Sequence, residues 1–202
     1  MGDPAGIGSE IVIGTMLAEE IHECCKPFVI GSIAILEKAA KVLDKEVKFH
    51  KIEEPEQAKY EYGVIDIIET GDYDTDSIEW GKEQALAGQM AMDFIMKSIE
   101  LGMANKVDAV STSPIHKGAI KLVGVKEPGH TEIYQNVTKS PHALTMFSCH
   151  KLRVFFVSRH MSLVDACPYA TTEVVLDTVI NIDKELRKVG FEHPHRAVAG
   201  LT

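Results

Sequence analysis

The feature that most restricts this chain is the alternation of short apolar runs with longer stretches of helical period. Lys26 to Gly31, Val47 to Ile52 and Gly63 to Ile68 read as strands, and Val107 to Thr112 reads as a buried one. Ala143 to Phe147 and Leu152 to Val157 are two more, and Arg196 to Leu201 begins another. Between them, Ser9 to about Glu23, Ile33 to Leu43, Lys82 to Lys106 and Glu173 to Lys188 carry helical spacing. Ser9 is a candidate N-cap, and acidic, turn-rich Thr70 to Gly81 reads as a surface loop. Strands that alternate with helices build an α/β fold with a largely parallel core sheet. In such sheets ligands bind beyond the carboxyl ends of the strands.

That rule directs attention to three polar clusters. The first is Gly2-Asp3-Pro4-Ala5-Gly6-Ile7-Gly8, which runs into a helix. Its glycines allow tight turns and close approach of a ligand, and the helix offers free N–H groups to an anion. The plain alternative is a helix-entry loop with a solvated Asp3. Ile11 stands where a dinucleotide fingerprint needs its third glycine, and no Gly-Lys-Ser/Thr follows. The second cluster is Ser111-Thr112-Ser113-Pro114-Ile115-His116-Lys117-Gly118, followed by Pro128-Gly129-His130-Thr131-Glu132. Hydroxyls, two imidazoles and an amine come close together there. His116 or Lys117 is placed to assist proton transfer. Thr131 has a plainer role as a helix cap. The third is Ser158-Arg159-His160 with Asp165, at the end of a strongly apolar run. A histidine there suits a metal or a substrate, and Asp165 either supports it or is a helix N-terminal acid.

A formal net charge of −9 with no basic face argues against a nucleic-acid partner. A small anion remains compatible, because a few local donors suffice to hold one. No apolar run is long enough to span a bilayer, so no membrane association is expected. Cys24, Cys25, Cys149 and Cys167 lack Cys-x-x-Cys spacing and read as reduced thiols of a cytoplasmic protein. The methionines of Lys82 to Lys106 read as core filler, and the remaining histidines as surface residues.

MGDPAGIGSE, STSPIHKGAIKLVG with PGHTE, and LRVFFVSRHMSLVDA, in this order, resemble the 4-hydroxythreonine-4-phosphate dehydrogenase (PdxA-like) family. The resemblance implies a two-domain α/β fold similar to isopropylmalate and isocitrate dehydrogenases, here divided as 1–106 and 107–202. It also implies a homodimer with its cleft between domains, in which residues after about Val107 form the two-fold contact. The implied activity is NAD-dependent and divalent-metal-dependent (Zn, Mg, Co or Mn) oxidation of a secondary alcohol, followed by decarboxylation. The substrate would be a phosphorylated hydroxy acid of the 4-phosphohydroxy-L-threonine type. Alternatives are 4-phospho-D-threonate or 4-phospho-D-erythronate, or a non-catalytic α/β binding module. Position by position, His130 and Thr131 match substrate-binding residues and His160 matches one of three metal histidines. The segments bearing the other two have no counterpart here, and Val164 stands where many members have Arg. The resemblance thus implies a piece of a longer chain, lacking a first strand and the later segments. Taken alone, such a piece is expected to bind NAD poorly and to be inactive. His130 and His160 are expected to share one cleft.

Overall fold

The computed structural model describes residues 1–159 and 161–200. They divide into two compact units, Met1–Lys139 and Ser140–Thr202.

In the first unit, β1 (Val29–Gly31), β2 (Lys48–Ile52) and β3 (Val64–Glu69) form a parallel sheet in the order β1-β3-β2. The register pairs Val29 with Ile67 and Phe49 with Ile65. Ile65, Asp66, Ile67 and Ile68 of the central strand are all buried, as expected where helices cover both faces. Buried Asp66 is tolerated because both of its carboxylate oxygens are hydrogen-bonded. Its carboxylate accepts from the Lys59 and Tyr60 amides at 3.1 and 2.8 Å and meets His50 Nδ1 at 2.7 Å. Burial alone would raise its pKa, but these bonds outweigh burial and hold it below an ordinary carboxylate.

The expected helix from Ser9 to Glu23 is two helices, α1 (Gly8–Met16) and α2 (Glu19–Cys24). The amides of Leu17 and Ala18 bond back to Ile13 and Thr15, which closes the first turn-end before α2 begins. Ser9 lies inside α1 rather than at its cap. Next comes α3 (Ile33–Val42), whose Leu36, Ala39 and Ala40 pack with Ile13, Ile65 and Ile67. A single 3₁₀ turn, Thr75–Ser77, interrupts the acidic loop.

The long helix α4 (Ala85–Met103) buries Ala87, Met90, Ala91, Phe94 and Ile95 on one face. It carries α5 (Lys117–Leu122) and α6 (His130–Thr138) through a cluster of Ile95, Ile99, Ile120 and Ile133. Gly88 sits where the helices touch: a Cβ there would collide with the Ala119 carbonyl. Both α5 and α6 lie beyond the expected 106/107 boundary, yet they pack on α4.

Val107 to Thr112 is not a strand, and Asp108 to Thr112 are exposed. A strand needs a partner for its backbone groups, and among the described residues none pairs with this segment. Apolar composition reported only half of that requirement.

The second unit contains an antiparallel pair, β4 (Met146–Cys149) and β5 (Leu152–Phe155), with Met146 opposite Phe155. It also contains α7 (Leu163–Tyr169) and α8 (Thr172–Lys188). The Thr171 hydroxyl caps α8 by accepting from the Val174 amide at 3.3 Å. Residues 196–200 form no strand, and Leu201 and Thr202 lie outside the described residues. Among the described residues no helix is long and apolar enough to cross a membrane.

Candidate functional site

In the first unit, a cavity of about 680 Å³ opens beside β1. Phe28, Ile30, Phe94 and Ile95 line one part, and Val107 to Ser113 with His130 and Tyr134 line another. Residues 1–3 lie close by and are bonded to both β1 and Pro114. The Met1 amine donates to the Ile30 carbonyl at 2.8 Å, and the Asp3 amide donates to the Pro114 carbonyl at 3.0 Å. Burial lowers the Met1 ammonium to a pKa of about 5.

His130 is the first residue of α6, following Gly129 at the N-cap. Its ring is half-buried, and desolvation holds it more acidic than an ordinary imidazole. At neutral pH it is therefore neutral, able both to donate and to accept a hydrogen bond. One turn on, Tyr134 faces the same cavity. The buried Ser98 hydroxyl donates to the Ile95 carbonyl at 2.7 Å, so its 2.5 Å contact with the Tyr134 hydroxyl has tyrosine as donor. Burial raises the Tyr134 pKa, and its proton stays in place. Tyr134 and Ser98 were not singled out by sequence. The usable signal was the four-residue spacing from His130 to Tyr134.

The other candidates divide clearly. Thr131 is the second residue of α6 and does not cap it. Gly129 takes the cap because its extended backbone turns the chain sharply into the helix. Asp3 is buried rather than solvated, and its Oδ1 accepts from the Ala5 amide at 2.8 Å, a bond that shapes the loop. His116 caps α5: its Nδ1 accepts from the Ala119 amide at 3.1 Å. Glu83 lies 3.6 Å from the same nitrogen, too far for a hydrogen bond. We therefore assign the proton to Nε2, with Nδ1 as the acceptor of the cap bond. Lys117 begins α5 exposed, and neither it nor His116 lines the cavity. In the second unit, Ser162 Oγ accepts from the Asp165 amide at 3.3 Å and donates to its carboxylate at 2.5 Å. Asp165 is thus the acid of a helix-capping pair. His160 lies outside the described residues, as does the expectation that it shares a cleft with His130.

The glycines of the opening loop do not mark a ligand's place. Cβ atoms at Gly2 and Gly8 would collide with the Pro114 and Met1 carbonyls. These glycines accommodate the chain's own backbone. Nor, among the described residues, do three His, Cys, Asp or Glu side chains gather to hold a metal ion.

A parallel sheet flanked by helices defines the class as an α/β protein. Residues 23–202 match the family model described as pyridoxal phosphate biosynthetic protein PdxA, and the chain belongs to that family. It is 42% identical over 201 residues to a protein of Fusobacterium nucleatum provisionally named D-threonate 4-phosphate dehydrogenase. A Halalkalibacterium halodurans protein with the same provisional name is 39% identical over 201 residues. In both cases the match takes in 100% of this chain and 60% of the relative. A solved 4-hydroxythreonine-4-phosphate dehydrogenase from Burkholderia phymatum matches with TM-score 0.89 and 34% identity, over 96% of this chain and 58% of that one. The chain thus spans about 60% of the length of the curated relatives it matches.

Proposed function

We propose that this chain carries part of the substrate site of a dehydrogenase that oxidises the secondary alcohol of a 4-phosphorylated hydroxy acid. The observation that carries the reading is the family match over residues 23–202. Support within the fold comes from His130, neutral at the cavity wall and able to hydrogen-bond a hydroxyl or a carboxylate. Thr131 beside it supplies a hydroxyl. The relatives at 42% and 39% identity carry the D-threonate 4-phosphate name, and the structure at 34% carries the 4-hydroxythreonine name. D-Threonate 4-phosphate is therefore the first substrate to test.

NAD as hydride acceptor, a divalent metal, a decarboxylation step and a homodimer in the cytoplasm complete the proposal. Among the described residues no three His, Cys, Asp or Glu side chains gather to hold a metal, so a metal site would draw on His160 and on groups outside them. What this chain does by itself is hold and orient the substrate through His130.

The test is NADH formation by the natural gene product with D-threonate 4-phosphate and with 4-phosphohydroxy-L-threonine. His130→Ala is expected to raise KM by roughly tenfold or more, since a hydrogen bond to a charged group is worth about 1.5–3 kcal/mol. Wild-type protein inert toward both substrates would overturn the reading. An unchanged KM in His130→Ala would remove His130 from it.

A further inference from the structure

We propose that Cys24 and Cys25 form a two-sulfur site for a thiophilic centre that bonds two thiolates, trivalent arsenic being the ligand that defines it. Consecutive residues of a helix do not face one another, so adjacent cysteines ordinarily act as two separate thiols. The end of α2 breaks that rule. Cys24 is its last residue, and Cys25 turns into extended backbone at φ −151° and ψ 171°. Both thiols then donate to one atom, the Ile21 carbonyl oxygen, at 3.4 and 3.2 Å. The two sulfurs converge on one side of the chain, both exposed and neither in a disulfide. They lie on the wall of the cavity beside β1, next to Lys26 and Pro27.

The donor set selects the ligand. Among the described residues no third His, Cys, Asp or Glu joins the pair, so a closed four-ligand zinc site is not offered. Two soft thiolates suit a soft centre of low coordination. Cys25 is held above an ordinary thiol, by desolvation first and then by the adjoining Cys24 sulfur. Cys25 alone is therefore a weak nucleophile at neutral pH. The pair gains because its second bond is intramolecular. With an aryl arsenic(III) oxide, two S–H bonds and the As=O bond are lost, two As–S bonds form and one water leaves. Arsenic stays trivalent and nothing is oxidised.

The experiment treats the reduced chain with one equivalent of phenylarsine oxide and reads intact mass. The adduct is then challenged with excess 2-mercaptoethanol and, separately, with 2,3-dimercaptopropanol. One adduct is expected to survive the monothiol and to leave with the dithiol, in wild type and in the Cys149→Ser/Cys167→Ser double variant. In Cys24→Ser or Cys25→Ser, retention should fall by on the order of a hundredfold, the gain expected of a second tethered contact. Both positions are exposed, so serine should leave the fold intact, checked by far-ultraviolet circular dichroism. A monothiol-resistant adduct in either single variant, or none in wild type, would overturn the proposal.

Discussion

The two compact units keep their apolar side chains in different places. In the first, α1, α3 and α4 cover the sheet, and Ile13, Ile35, Leu36, Ile65, Ile67 and Met90 are sealed from solvent. In the second, only Asn181 and Leu186 are buried among the described residues. All four residues of β4 are exposed, and Phe147, Leu152 and Val164 are 61%, 64% and 81% accessible. A two-stranded antiparallel pair is marginal by itself and needs further packing for independent stability. The difference is that the first unit contains its own core, whereas the second presents much of its apolar surface outward.

The largest effects should therefore come from the first unit. Ile65→Ala is expected to cost about 2–5 kcal/mol in urea unfolding, because a fully buried side chain is deleted from the central strand. Gly88→Ala is the sharper test. Helix propensity alone predicts a gain of about 1 kcal/mol. The collision with the Ala119 carbonyl predicts a loss instead, since backbone must move to relieve it. A stabilised variant would mean that α4 and α5 are not in the contact described.

Next in size is a pH effect at His130. Burial holds its imidazole below the ordinary 6.5. Below that value the unfolded chain binds the extra proton first, so stability should rise with pH up to about 6.5 and level off above. His130→Gln should flatten that part of the profile in urea unfolding, and a profile indifferent to the substitution would sink the assignment.

What was legible in the sequence follows the same division. The expected strands at Lys26 to Gly31, Val47 to Ile52 and Gly63 to Ile68 contain or overlap β1, β2 and β3. The helices beginning near Ile33, Lys82 and Glu173 also appear. Period and composition are local, and these elements bury the faces that their periods define. Val107 to Thr112 failed because pairing is non-local. Among the candidates, His130 at the cavity wall was picked out through PGHTE, and the helix N-terminal acid was one of the two readings open for Asp165, but the cap at His116 was not legible. That cap depends on the Ala119 N–H three residues on, whose availability is set only once the helix starts there. Tyr134 and Ser98 were hidden because their partnership joins two helices thirty-six positions apart.

A smaller effect is expected at Thr171. Removing its hydroxyl leaves the Val174 amide without its cap, so Thr171→Ala should cost about 1 kcal/mol, and Thr171→Ser should restore most of it. Hydrogen exchange of the first turn of α8 reads this locally, without requiring the two units to unfold together.

The smallest effect should be at Val154, and its size distinguishes the two ways of completing the second unit. The side chain is 40% accessible and stands on β5 opposite Phe147. If nothing covers the strand pair in solution, Val154→Ala removes a half-wet side chain. The change should then stay within about 0.5 kcal/mol, the usual range for surface substitutions. If a second copy of the chain covers β4 and β5, as the proposed homodimer would allow, the same methyl groups are buried in the assembly. The cost should then approach the 1–3 kcal/mol range of a buried truncation, and it should depend on protein concentration, because dissociation is part of unfolding. Urea titrations of wild type and Val154→Ala, each at two concentrations a hundredfold apart, separate the cases. A concentration-independent difference near zero leaves the two-fold contact without support at this surface, whereas midpoints that rise with concentration in wild type and less in the variant place it there.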